Sequence, residues 1–196
     1  MNTTNADYFT FNVNNSMLLV GQTGSGKTEL ARKIKDNLEL AFSPDEMKYA
    51  LFDLKIVEFQ TEHGNSKKEY LLFDVVNDSE DFGFSKLEEL AALSSYRALL
   101  DNPKPLIFVY IEECDFAMMN QKRFDDSVIT INQNARKANM KLIYSTSRPC
   151  DKTVSKRLLH SFELILTGPL QDCDYDYLEV PRVSDLKLYD FALTEK

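Results

Sequence analysis

Residues 21–28 read GQTGSGKT, and Gly21, Gly24 and Gly26 are three of only six glycines in the chain. Glycines at this spacing let a backbone turn inward and aim successive N–H groups at one point, which is how a loop holds phosphate oxygens. Gly21, Gln22, Thr23, Gly24, Ser25 and Gly26 would form that cradle. Lys27 would neutralise the β- and γ-phosphates, and Thr28 would offer its hydroxyl to Mg²⁺. Four apolar residues, MLLV at 17–20, precede the loop, and a helical pattern follows it, which is the context this motif requires. The helix would add the positive end of its dipole. The chemistry implied is binding of a nucleoside triphosphate, ATP with Mg²⁺.

A second constellation lies at 106–113, where the apolar run LIFVYI ends in Glu112 and Glu113. An apolar strand ending in two acids is where P-loop ATPases place their second motif. Glu112 would hold Mg²⁺, through water, and Glu113 would polarise the attacking water as general base. Glu112 stands where aspartate is usual, so its carboxylate reaches one methylene further.

The elements that must position these residues follow from periodicity. YFTFNV at 8–13 alternates like a half-buried strand, and 48–54, 70–76, 106–111, 141–146 and 162–167 read as further strands, with a terminal one near 186–193. Helical spacing predicts helices over 28–40, 84–100 and 124–138, with a short one at 153–160. Strands separated by helices imply an α/β fold with a mainly parallel sheet and helices on both faces. The pattern, with the phosphate loop and the strand-end acids, resembles a P-loop NTPase of the RecA-like (ASCE) kind. With no internal repeat or low-complexity tract, one domain over 1–196 is expected.

Composition narrows the classes. The chain is 43% hydrophobic and 28% charged, ordinary for a globular protein. Its longest apolar runs are too short to span a bilayer, and residues 1–13 lack a secretory pattern. Cys114, Cys150 and Cys173, with His63 and His160, have no zinc-ligand spacing, so a reduced, cytoplasmic protein is expected. A net charge of −8 argues weakly against nucleic-acid binding. A ring needs only a local basic loop in its channel, and bulk charge does not report on that.

The order of motifs resembles the motor domain of the FtsK–HerA superfamily of DNA-pumping ATPases. Four stretches carry the resemblance: GQTGSGKT, FDLKIVEF at 52–59, YIEECDFAMM at 110–119 and QNARKANMKLIYSTSRP at 133–149. In the second, Asp53, Lys55 and Glu58 match the family's aspartate, lysine and glutamate. The resemblance implies an ATP-driven translocase of double-stranded DNA acting as a homo-oligomeric ring, a hexamer. It implies that Arg136 reaches a neighbouring subunit's γ-phosphate as an arginine finger, and that Ser147 replaces the family's phosphate-sensing glutamine, with Thr146 beside it. Arg148 in the Arg-Pro turn would couple the strand end to the following loop or pair with a surface acid. The short chain without anchor or DNA-reading segment also resembles the superfamily's viral and mobile-element genome-packaging ATPases, which implies a capsid portal or a membrane-anchored protein as docking partner. The basic pairs Lys67–Lys68 and Lys122–Arg123 could track DNA phosphates or be solvated surface. Two other classes stay open on sequence: a small-molecule or nucleoside kinase, though no arginine-rich lid is present, and a nucleotide-binding regulator with little turnover, motivated by Glu112 and Ser147.

Overall fold

The computed structural model describes residues 16–53, 67–77, 81–112, 120–183, 186 and 190–195. The expected 8–13 strand, Lys55, Glu58, His63, Glu113 and Cys114 lie outside the described residues.

In chain order the elements are β1 (Met17–Val20), α1 (Lys27–Ala41), β2 (Met47–Asp53), a 3₁₀ turn (Lys68–Tyr70), α2 (Asp81–Arg97), β3 (Leu106–Glu112), α3 (Gln121–Asn134), β4 (Met140–Thr146), α4 (Lys156–Leu159), β5 (Leu164–Thr167), α5 (Asp172–Leu178) and β6 (Ala192–Glu195). The six strands form one sheet in the order β2-β3-β4-β1-β5-β6. All pairings are parallel except the antiparallel β5–β6.

The central strands are apolar on both faces, as strands covered on both sides must be. Alternation along β3 sends Ile107, Val109 and Ile111 into a core with Leu87 and Leu90 of α2 and Phe124 and Val128 of α3. Leu106, Phe108 and Tyr110 enter the opposite core, with Ala31, Ile34 and Leu38 of α1. Residues 70–76, expected as a strand, bond β2 only intermittently. Two isolated parallel bridges, Leu71 to Tyr49 and Val76 to Phe52, flank a bend at 72–74 that breaks the ladder. Residues 172–178 form a helix absent from the sequence-based expectations, opened by a capping box between Gln171 and Asp174.

At the amino-terminal end of the sheet, Arg97 is buried and donates to four backbone carbonyls, one of them Lys104 O from Nη1 at 3.4 Å. Nε reaches Ala138 O at 2.9 Å, and Nη2 reaches Pro103 O at 3.2 Å and Pro105 O at 2.5 Å. One guanidinium thus ties the end of α2 to the entries of β3 and β4. Arg97→Ala leaves these carbonyls without their donor and is expected to cost about 3 kcal/mol. For a chain of this size that lowers the thermal midpoint by roughly 6–12 °C. A change below about 2 °C in thermal unfolding would contradict the clamp.

Candidate nucleotide-binding site

Parallel strands bring their carboxyl ends to one edge, and the loop 21–26 opens there, between β1 and α1. Neighbouring strand ends hold it in place. Gly21 N–H donates to Thr146 O at 3.4 Å, Gln22 N–H to Pro169 O at 3.0 Å, and Gly168 N–H to Val20 O at 2.7 Å. A Cβ on Gly21 would lie 2.5 Å from Ser25 Oγ and 3.3 Å from Ser25 Cβ, so a side chain there would have to displace Ser25. Gly24 and Gly26 sit at φ of 83° and 95°, the left-handed region that glycine tolerates. Gly26 is the N-cap of α1, whose first-turn amides have no carbonyl partners within the helix.

Lys27 is folded back into this loop and buried. Its Nζ donates to Gly21 O at 2.6 Å and to Gln22 O at 3.2 Å. An ammonium held at the mouth of a glycine cradle is placed to meet phosphate oxygens. Ser25 is buried with its hydroxyl lacking a hydrogen-bond partner among the described residues. The cradle, the ammonium and this orphaned hydroxyl fit a phosphate group. Thr28 is half-buried in the first turn of α1, while Gln22, Thr23 and Gly24 are exposed.

The acids stand on adjoining strands. Asp53, Glu112 and Ser145 are direct register partners across β2, β3 and β4, and Leu19 of β1 continues the row. All three polar residues are buried. Alternation puts Glu112 on the α1 face, two residues beyond Tyr110, whose hydroxyl donates to Glu112 Oε2. Burial, followed by the charge of Glu112, pushes the Tyr110 phenol well above its usual pKa. Thr28 and Glu112 supply hydroxyl and carboxylate oxygens on one face of the sheet, a hard donor set that suits Mg²⁺. Because β4 lies between β1 and β3, its tip, Thr146 and the half-buried Ser147, falls between the loop and Glu112. Arg148 N–H donates to Thr146 Oγ1 at 3.3 Å, and Arg148 O accepts from Thr153 Oγ1, so the Arg-Pro turn is tied to both sides.

Arg136 is not brought to this edge. It is exposed in the turn before β4, at the amino-terminal end of the sheet, and makes no ion pair among the described residues. The length of β4 alone separates the two edges by about 20 Å. Arg136 is thus remote from the phosphate loop of its own chain. The basic pairs are largely committed within the chain. Arg123 binds Glu88 with both Nε (2.8 Å) and Nη2 (2.9 Å), Lys122 pairs with Asp126 at 2.7 Å, and Lys67 with Glu39 at 3.0 Å. His160 lies at the surface beside Glu179.

Sequence reasoning missed Tyr110, read only as core, and the Gly168–Pro169 turn that carries the loop. A tyrosine two places before an acid on a buried strand was the available signal for the first, since a buried phenol needs a partner. No comparable signal marked the second.

No family model matches the chain. It is 28% identical over 165 residues to the DNA translocase FtsK of Streptococcus pneumoniae, an alignment covering 71% of this chain and 21% of that protein. The chain thus spans about a fifth of the length of the curated relatives it matches. Among solved structures it resembles the monomer form of the pCW3 conjugation coupling protein TcpA with ATPγS, at TM-score 0.69 and 18% identity, covering 85% of this chain and 52% of that one. It also resembles the genome-packaging NTPase B204 of Sulfolobus turreted icosahedral virus 2 in complex with ATPγS, at TM-score 0.65 and 19% identity, covering 94% of both chains. Among the described residues no helix is long and apolar enough to cross a membrane. The fold is that of P-loop ATPases, and the chain is similar in sequence to FtsK DNA translocases.

Proposed function

We propose that this chain hydrolyses ATP to move double-stranded DNA, working as a homo-oligomeric ring. The observation that carries the reading is the lysine-bearing glycine loop at the same sheet edge as buried Glu112, in a chain whose relatives are DNA translocases. Lys27 and the loop amides bind the phosphates, while Thr28 and Glu112 hold the metal. Magnesium, where bound, supplies neutralisation of the charge that develops between the β- and γ-phosphates. Glu113 takes the proton of the attacking water, and Ser147 at the tip of β4 hydrogen-bonds the γ-phosphate or that water.

Arg136 completes the site from an adjacent subunit, so hydrolysis depends on assembly. The placement of Arg136 at the far edge of its own sheet supports this reading. An equal mixture of Lys27→Ala and Arg136→Ala chains, each inactive alone, is expected to recover up to about a quarter of wild-type hydrolysis. That is the share of randomly formed interfaces that join an intact loop to an intact arginine. Failure to recover any activity, with mixing verified by exchange of labelled subunits, would contradict the role in trans.

A capsid portal or a membrane-anchored protein is the docking partner this reading calls for, and the likeness of fold to the genome-packaging NTPase B204 favours genome packaging as the setting. The test of translocation is displacement of a triplex-forming oligonucleotide from linear duplex DNA. ATP-dependent displacement that a non-hydrolysable analogue does not support is expected. Hydrolysis without displacement would contradict a translocating motor.

A further inference from the structure

Tyr110 occupies a core position whose ring volume a phenylalanine would fill as well. Its strand neighbours are Leu51 on β2 and Ile143 on β4, and its ring belongs to the core on the α1 face. Its hydroxyl is nevertheless spent on Glu112 Oε2, and both residues are almost wholly buried, at 1% and 3% exposure. Glu112 needs such a partner more than an aspartate would. Its extra methylene adds a side-chain torsion, and the buried carboxylate of Asp53 faces it across the β2–β3 ladder. Left alone, the longer acid could swing among rotamers and away from its neighbour's charge. A hydroxyl fixed on a rigid strand selects one orientation, as outer-shell donors do for metal-holding carboxylates.

We propose that Tyr110 is a positioning residue for Glu112: its hydroxyl holds the longer carboxylate where it meets the magnesium shell, offsetting the change from aspartate at this strand end. The inference rests on Glu112 being the metal-holding acid of the proposed ATPase. The tyrosine touches neither nucleotide nor metal. It acts through Glu112, so its loss alters how the site responds to Mg²⁺ and leaves metal-free nucleotide binding intact.

The test is Tyr110→Phe, which keeps the ring and deletes the hydroxyl. Binding of a fluorescent ATP analogue is titrated with Mg²⁺ and measured separately in EDTA, alongside thermal unfolding. The half-saturating Mg²⁺ concentration is expected to rise about tenfold, with affinity in EDTA unchanged. In a Glu112→Asp background, whose shorter carboxylate draws back from the phenol, Tyr110→Phe is expected to change the Mg²⁺ response by less than about twofold. An unchanged Mg²⁺ response in the single variant overturns the inference. So does an equal loss of affinity with and without metal, or a tenfold shift that persists in the aspartate background, because each assigns the tyrosine to packing. Those results leave the nucleotide site standing. A wild-type chain that binds no nucleotide overturns the site reading and the inference together.

Discussion

Lys27→Ala is expected to lower ATP hydrolysis by at least about 10³-fold. The expectation follows from where the ammonium is. It is buried inside the loop, 2.6 Å from Gly21 O, at the start of a helix and beside a cradle of turned glycines. In low-dielectric surroundings a full positive charge at that point stabilises the bridging and terminal phosphate oxygens as charge builds on them. Water replacing the side chain would reorganise at each turnover and could not supply the same field. The substitution should leave the fold in place, because alanine is the best helix former and Lys27 opens α1. Steady-state hydrolysis, nucleotide affinity and thermal unfolding measured together check this. Activity within about tenfold of wild type would remove the loop from the chemistry.

Glu113→Gln should lower hydrolysis by about 10²- to 10⁴-fold while changing nucleotide affinity little. β3 ends at Glu112, whose carboxylate accepts from the Tyr110 hydroxyl, and in the proposed mechanism the next acid in the chain serves the attacking water. Glutamine keeps the size and one acceptor oxygen, but it cannot take a proton at neutral pH. The variant should therefore accumulate with nucleotide bound. Single-turnover hydrolysis and nucleotide affinity separate the two effects. Weakened binding with an unchanged chemical step would move the general base elsewhere.

The sheet could be read in advance because its strands are buried on both faces. Continuous apolar runs such as LIFVYI are then forced, and each lies within a residue or two of its observed bounds. The phosphate loop could be read because its geometry needs glycine at fixed places, and Gly24 and Gly26 do take left-handed conformations. Residues 70–76 misled for a physical reason. Their composition is strand-like, but they run beside β2 at the outer edge of the sheet, where a bend at 72–74 costs only one ladder. The short helix at 172–178 carries too few residues for periodicity to register, and the terminal strand, expected near 186–193, lies at Ala192–Glu195. The contacts that join distant segments left no local trace at all. Arg97 reads as an ordinary helix-end arginine until Ala138 and the prolines at 103 and 105 are placed around it. The register of Asp53, Glu112 and Ser145 likewise exists only once three strands are aligned.

Rates of ATP hydrolysis at low salt, with and without long double-stranded DNA, test the central claim most directly, with Lys27→Ala and Glu113→Gln as controls. A DNA motor should show strong stimulation by duplex DNA that declines steeply as salt rises and is absent in both variants. Hydrolysis by the wild-type chain that is indifferent to DNA at every salt concentration would contradict the translocase account.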